Sequence, residues 1–172
     1  MYIKPLFLVA TGPSRHDYPI EELKAEGHFV MGINRVANEI PLNIAHFQTV
    51  PDYILSAERF QEGCLFVIPD NFNIDIEPSS KNFVMRYTKN HTPKVGSGIT
   101  GLFIAASMGF NPIFLIGYDN TTARGNEIYI GDLELMEEFK KRHNTTLYNC
   151  NLKTRFQGSK YLPFEECRHG EI

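Results

Sequence analysis

The stretch Leu6-Phe7-Leu8-Val9-Ala10, followed at once by Thr11-Gly12-Pro13-Ser14, decides the fold. A continuous apolar run that stops at glycine and proline is typical of a strand buried on both faces that runs into a tight loop. Such strands occur in parallel sheets whose two faces are covered by helices. The stretch therefore predicts an α/β protein.

Further apolar runs along the chain fit the same plan. They lie at residues 29–33, 44–50, 64–68, 83–87, 113–116 and 145–149. Helical patterns separate several of them, at residues 20–26, 53–60, 98–108 and 133–143. Because short strands alternate with helices, we predict a Rossmann-like, mostly parallel sheet with helices on both faces. The length of 172 residues favours a single domain over residues 1–172.

The composition excludes several classes of protein. The chain is 42% hydrophobic and 22% charged, which is ordinary for a globular protein and unlike a disordered one. Its net charge of −3 gives no reason to expect nucleic-acid binding. No apolar run approaches the roughly 20 residues that cross a bilayer, and no secretory-signal pattern is visible. We therefore expect a cytoplasmic protein without a membrane span.

The three cysteines give little indication of a special role. Cys64, Cys150 and Cys167 form no CxxC pair, and their odd number argues against a disulfide framework. Cys64 lies in an apolar run, where a thiol packs as a small hydrophobic group. Cys150, Cys167 and His169 lack the dense ligand spacing of a metal site.

The predicted sheet also predicts where a ligand would bind. In an open parallel sheet, ligands bind outside the carboxyl ends of the strands. The loops that start there are residues 11–14, 32–35, 47–49, 95–98 and 117–120. We expect the functional side chains among them.

The first of these loops contains residues suited to holding a phosphate. Gly12 permits close approach of the backbone to a ligand, and the Ser14 hydroxyl and nearby amides can donate hydrogen bonds to an anion. The alternative is a plain turn in which Ser14 or Asp17 caps the following helix. Both interpretations remain open at this point.

A second candidate anion site is the helix start at Gly96-Ser97-Gly98-Ile99-Thr100-Gly101. Free amides and the positive end of the helix dipole favour an anion there. The stretch resembles a dinucleotide fingerprint only superficially, because that fingerprint belongs after the first strand. The phosphate-loop motif GxxxxGK[ST] does not occur in the chain.

The order of these motifs resembles that of the family 42 sialyltransferases of bacterial pathogens. It comprises a strand before Gly12-Pro13-Ser14, a strand ending at Asn34, Ser97-Gly98 opening an apolar helix that ends MGF, a strand with IGYD, and a helix before LYNC. The order is also similar to that of uncharacterised and pterin diphosphokinase-like proteins with the same Rossmann-like domain. The resemblance implies a nucleotide-binding fold.

The resemblance also implies roles for individual residues. In the sialyltransferases the corresponding positions line the CMP portion of the donor. That role is implied for Thr11, Gly12, Pro13, Ser14, Asn34, Ser97 and Gly98. Lys94 stands where the family carries a basic residue. A small glycosyltransferase that uses a CMP-sugar is the function that this resemblance favours.

Two departures from the family pattern affect the expected chemistry. The family has Asn before Gly-Pro-Ser, whereas this chain has Thr11. The family also inserts a long lid after the strand that ends in Gly-x-Asp, with tyrosines that bind the donor phosphate and a histidine base. Here the connection from Asn120 to Asp132 is short and contains Tyr129 but no histidine. If the chain is a glycosyltransferase, its general base must therefore come from elsewhere in the chain; the alternatives are a different acceptor chemistry and a loss of catalysis.

The candidates for that base are His16, His46, His91 and Asp119. His91 is the first choice because it lies three residues before Lys94, whose charge favours a neutral imidazole that can accept a proton. His16 follows the Gly-Pro-Ser turn, and Asp119 ends an apolar strand, where a carboxylate can hold a ribose, a metal ion or a proton. The alternatives are surface or capping histidines and a turn aspartate. His46 is expected to be a packed, hydrogen-bonded core residue.

Three functions remain open from the sequence. The first is a glycosyltransferase that needs no cofactor and takes a glycan acceptor, with Lys94 or Tyr129 stabilising the leaving group. The second is a diphosphokinase-type enzyme that uses magnesium and the carboxylates Asp52, Asp70 and Asp119. The third is a non-catalytic module that binds a nucleotide or sugar phosphate. Each is compatible with an oligomer.

Overall fold

The computed structural model describes residues 4–49, 51–74, 81–88, 96–119, 130–152 and 158–170. Within them, eight strands form one sheet. The strands are β1 (Lys4–Val9), β2 (Val30–Ile33), β3 (Ile44–His46), β4 (Leu65–Pro69), β5 (Phe83–Tyr87), β6 (Phe110–Ile116), β7 (Leu147–Asn149) and β8 (Lys160–Tyr161). The α-helices are α1 (Asp52–Phe60), α2 (Ser97–Ser107), α3 (Ile130–Arg142) and α4 (Phe164–His169).

The strand order places a switch point between β1 and β6. The sheet runs β5-β4-β3-β2-β1-β6-β7-β8, and neighbouring strands pair in parallel. The chain therefore builds outward from β1 in one direction, returns to the middle, and builds outward from β6 in the other. Loops diverge at such a point and leave a crevice at the carboxyl ends of the strands.

Helices cover both faces of the sheet, as the apolar runs predict. Side chains of β1 alternate, so that Leu6 and Leu8 pack with α2 and α3, whereas Phe7 and Val9 pack with α1 and α4. All four side chains are essentially inaccessible to solvent. The expectation of a Rossmann-like α/β fold is confirmed.

Several elements differ from the sequence-based expectation. Residues 20–26 form turns whose bonds include Leu23 N–H to the Ile20 carbonyl, three residues back, and not a helix. The third strand ends at His46, because the backbone N–H groups of Gln48 and Thr49 donate to the side chain of Asn34. Pro69 is the last residue of β4 and does not break that strand early. Strand β8 and helix α4 were not predicted, because their residues are too few to show a period.

A buried arginine holds the loop after β1. Arg15 lies in a 3₁₀ helix (Pro13–Asp17) and is 1% exposed. Its Nε and Nη2 each donate to the Glu39 carboxylate at 2.9 Å, while Nη1 donates to the carbonyls of Thr11 at 2.6 Å and Gly12 at 3.1 Å. One side chain thus fixes the shape of the loop and joins it to the residues that follow β2.

We predict that Arg15→Met lowers the free energy of unfolding by about 2–4 kcal/mol, because two loop carbonyls and a carboxylate lose their donor. Urea denaturation would measure the loss. Arg35→Met is the matched control, since Arg35 is half exposed and lies 3.6 Å from the same carboxylate. The control should cost no more than about 1 kcal/mol. Equal losses in the two variants would contradict a structural role for Arg15.

The loops after β1 and β6 cross in contact, and Gly12 permits this. Its N–H donates to the carbonyl of Gly117 at 3.0 Å. A Cβ atom at residue 12 would lie 2.3 Å from that carbonyl oxygen and 2.6 Å from Oδ2 of Asp119. The first of these is a backbone atom, which cannot turn away. The crossing therefore requires glycine at residue 12.

We predict that Gly12→Ala destabilises the protein by about 1–3 kcal/mol, because the two loops must separate. Thermal and urea unfolding would measure the change. Pro13→Ala is the control, since Pro13 is exposed and its replacement costs under about 1 kcal/mol. A Gly12→Ala protein as stable as the parent would show that the loops separate freely.

Candidate functional site

A carboxylate joins the two strands at the switch point. Asp119 follows β6 and accepts two hydrogen bonds from Ser14, which follows β1. The Ser14 N–H donates to Oδ2 at 2.7 Å, and the Ser14 hydroxyl donates to Oδ1. The structure therefore brings these two predicted residues together across the crevice.

Asparagine from a third strand end completes the environment of this carboxylate. Asn151, just after β7, donates from Nδ2 to Oδ1 of Asp119 at 2.9 Å. Its own N–H donates to Oδ1 of Asn149 at 2.8 Å, which holds the donor in place. Asp119 thus accepts hydrogen bonds from two neighbouring loops, and the arrangement orients Ser14.

The expectation that Ser14 or Asp17 caps a helix is wrong. The 3₁₀ helix begins at Pro13, Gly12 is the residue before it, and no side chain caps its N-terminus. The N–H of Ser14 is satisfied instead by Asp119, which is 105 residues away in the sequence. Local spacing could not reveal a partner so distant.

Asn34 links two further strand ends to the start of α2. It is 7% exposed, and its Nδ2 donates to the Ser97 hydroxyl at 2.9 Å. Its Oδ1 accepts from the backbone N–H groups of Gln48 at 2.9 Å and Thr49 at 3.3 Å. Its φ of 50° lies in the left-handed region. Residues held in this way cluster at functional sites.

Tyr118 connects the loop after β6 to α2. Its hydroxyl donates to the carbonyl of Gly98 at 2.9 Å, and a Cβ atom at residue 98 would lie 3.2 Å from its ring. Gly98 therefore allows Tyr118 to pack against the helix start. We call Ser14, Asn34, Ser97, Asp119 and Asn151 the carboxyl-edge cluster.

The candidate histidines fall in different environments. His46 is buried, as expected, and its Nε2 lies 2.8 Å from the hydroxyl of Tyr87. Burial raises the pKa of Tyr87 well above its usual value, so this phenol stays protonated. His16 is exposed in the 3₁₀ helix after β1. His91 lies outside the described residues.

Four further predicted residues are Thr11, Pro13, Lys94 and Tyr129. Thr11 is partly exposed and Pro13 is exposed, both in the loop after β1. Lys94 and Tyr129 lie outside the residues that the structure describes. Their roles remain predictions.

The carboxylates proposed for a magnesium enzyme do not converge. Asp70 follows β4 and Asp119 follows β6, and three strands lie between them. At the usual spacing of parallel strands, this places the two residues roughly 19 Å apart. The described part of the chain contains no group of three or more His, Cys, Asp or Glu residues that could hold a metal ion. His169, considered with Cys150 and Cys167, faces Glu165 at 3.6 Å instead.

Sequence reasoning missed Asn151, Tyr118 and Arg15 as residues that organise the site. Asn151 follows the final core strand, so the rule that polar groups gather at the carboxyl ends of strands could have identified it. Arg15 gave no such signal, because a charged residue in a loop is ordinarily exposed.

Among the described residues, no helix is long and apolar enough to cross a membrane.

This chain is similar to known proteins in its structure and not recognisably in its sequence. No protein-family profile and no curated protein matches the chain. Two solved structures of the sialyltransferase CstII from Campylobacter jejuni are similar to it. One, in complex with cytidine-5'-monophosphate, is 12% identical with a TM-score of 0.57, over 94% of this chain and 86% of that chain. The other, in complex with CMP-3FNeuAc, is 14% identical with a TM-score of 0.51, over 98% of each chain. The chain therefore has a sialyltransferase-like fold.

Proposed function

We propose that the protein binds a nucleotide-sugar, with a CMP-sugar favoured, at the carboxyl ends of β1, β2 and β6. The observation that carries this proposal is Asn34, a buried non-glycine residue held at a φ of 50° by partners in the loop after β3 and at the start of α2. Such a conformation costs about 1–3 kcal/mol and persists where the surroundings enforce it, often at ligand sites.

The position of the carboxyl-edge cluster in the sheet supports the same proposal. Ser14 and Asp119 lie at the switch point, and Asn34 and Ser97 lie at the adjacent strand and helix ends. Doubly wound sheets bind nucleotides at this point. The similar CstII structures hold CMP and a CMP-sugar analogue. The start of α2 adds a positive dipole end suited to the donor phosphate.

Within this proposal the described residues have distinct tasks. Ser97 supplies a hydroxyl donor to the nucleotide, because its oxygen accepts from Asn34 and its hydrogen is left to donate. Ser14 donates its N–H and its hydroxyl to Asp119, so it can only accept a hydrogen bond, for example from a ribose hydroxyl, and it does not donate to the phosphate. Asp119 positions Ser14, because its oxygens already accept bonds from Ser14 and Asn151. That use of the carboxylate makes Asp119 a weaker candidate for general base than His91 and His16.

For transfer to an acceptor hydroxyl, we propose His91 as the base and His16 as the second candidate. Lys94 and Tyr129 would stabilise the phosphate that departs. A glycan acceptor is the expected partner. The described residues do not favour the diphosphokinase alternative, given the separation of Asp70 from Asp119.

We predict that Ser97→Ala weakens CMP binding about fivefold in isothermal titration calorimetry, which corresponds to one hydroxyl hydrogen bond of about 1 kcal/mol. Ser107→Ala is the matched control at the other end of α2, where the serine is exposed. Circular dichroism should show both variants folded. Equal CMP affinity for Ser97→Ala and the parent would exclude Ser97 from the site. Binding of ATP or a UDP-sugar in preference to CMP would overturn the choice of nucleotide.

We predict that His91→Ala lowers the release of CMP from a CMP-sugar by about 10²–10⁴-fold, the usual contribution of a general base. Chromatography of CMP over time would measure the rate. His169→Ala, at an exposed position on α4, is the control and should retain the parent rate. If His91→Ala also retains it, His16→Ala is the next variant. A parent protein that binds CMP-sugars without turnover would favour the non-catalytic binding module.

A further inference from the structure

Two thiols face each other beneath α4. Cys150 follows β7 and Cys167 lies in α4, 17 residues further on. They are 3% and 2% exposed, and their Sγ atoms are 3.7 Å apart. Cys64 lies elsewhere, with its thiol 3.8 Å from the carbonyl of Leu65.

We propose that Cys150 and Cys167 are a site of reversible disulfide formation, which fastens α4 to the end of β7 when a low-molecular-weight disulfide is present. A disulfide bond is about 2.0 Å long, so the sulfur atoms must approach by about 1.7 Å. The two thiols are already within hydrogen-bond distance of each other. The proposal goes beyond nucleotide binding and does not depend on it.

The small disulfide is the only reactant that oxidation of the two cysteines needs. The Cys167 thiolate attacks one sulfur of the small disulfide, forms a mixed disulfide and releases one small thiolate. The Cys150 thiolate then attacks the Cys167 sulfur and releases the second. The two cysteines are oxidised by two electrons, the small disulfide is reduced to two thiols, and the two cysteine protons end on those thiols.

Local opening of α4 gives the small disulfide access. The helix is six residues long, buries Phe164 and Cys167, and has Arg168 paired with Glu22 and Glu26. With two buried side chains, it opens at a lower free-energy cost than the central strands. In the closed protein, the hydrogen bond with Cys167 and burial raise the pKa of the Cys150 thiol, which holds it in the unreactive form. Exchange is therefore slow and follows the opening of α4.

The bond would also restrain the wall of the candidate site. The carbonyl of Cys150 accepts a hydrogen bond from the Tyr18 hydroxyl at 2.6 Å. The next residue, Asn151, donates to Asp119. A covalent link at Cys150 thus ties α4 to the segment that orients the carboxylate.

The test uses the reduced parent protein, incubated with oxidised glutathione and then alkylated under denaturing conditions. Of three cysteines, two should be joined, so 3 − 2 = 1 thiol, Cys64, remains to be alkylated. Before alkylation, the intact mass should lie about 2 Da below that of the reduced protein, from the loss of two hydrogens, and peptide mapping should join residues 150 and 167. The thermal midpoint should rise by roughly 5–10 °C and return when dithiothreitol is added.

Cys64→Ala is the matched control and should form the same link, with no thiol left. Cys167→Ala should show no such mass loss and no rise in thermal midpoint. Three alkylated thiols in the parent after incubation would overturn the proposal. So would a stable glutathione adduct, a link through Cys64 or a disulfide between two molecules. None of these readouts requires CMP binding, so failure of the proposed function would leave this result intact.

Discussion

The hydrogen bonds between Asp119 and Ser14 are the interaction on which the arrangement of the site depends. A parallel sheet that reverses its winding leaves its two central strands with loops that diverge, and nothing in the sheet itself holds those loops together. Asp119 joins them, and Gly12 allows them to touch. Asn151 and Tyr118 extend the connection to β7 and α2. These bonds therefore link the carboxyl ends of several strands into one continuous surface.

The fold was accessible from the sequence because burial on both faces gives strands a distinctive composition. Runs such as residues 6–10 have no polar alternation, and this property depends on the sheet and not on any particular partner. The short elements β8 and α4 lack such a property. A strand of two residues or a helix of six is held in place by neighbours far away in the chain. The local sequence pattern does not indicate those neighbours.

Part of the candidate site could also be predicted from the sequence, because strand and helix ends are recognisable in it. Position at the end of a strand identified Ser14, Asn34 and Asp119, and position at a helix start identified Ser97, because topology alone brings these ends to one edge. Pairing was not accessible, since a hydrogen bond between residues 14 and 119 has no signature in either segment. The buried state of Arg15 was also hidden. Its partners are a carboxylate and two backbone carbonyls, and none of these is marked in the sequence.

Most bonds that shape this edge end on backbone atoms. Asn34 accepts from the N–H groups of residues 48 and 49, Arg15 donates to the carbonyls of residues 11 and 12, and Tyr118 donates to the carbonyl of residue 98. A backbone partner is supplied equally well by almost any amino acid. Bonds of this kind can therefore form in chains of very different sequence. A similar fold at 12% identity is what such bonds permit.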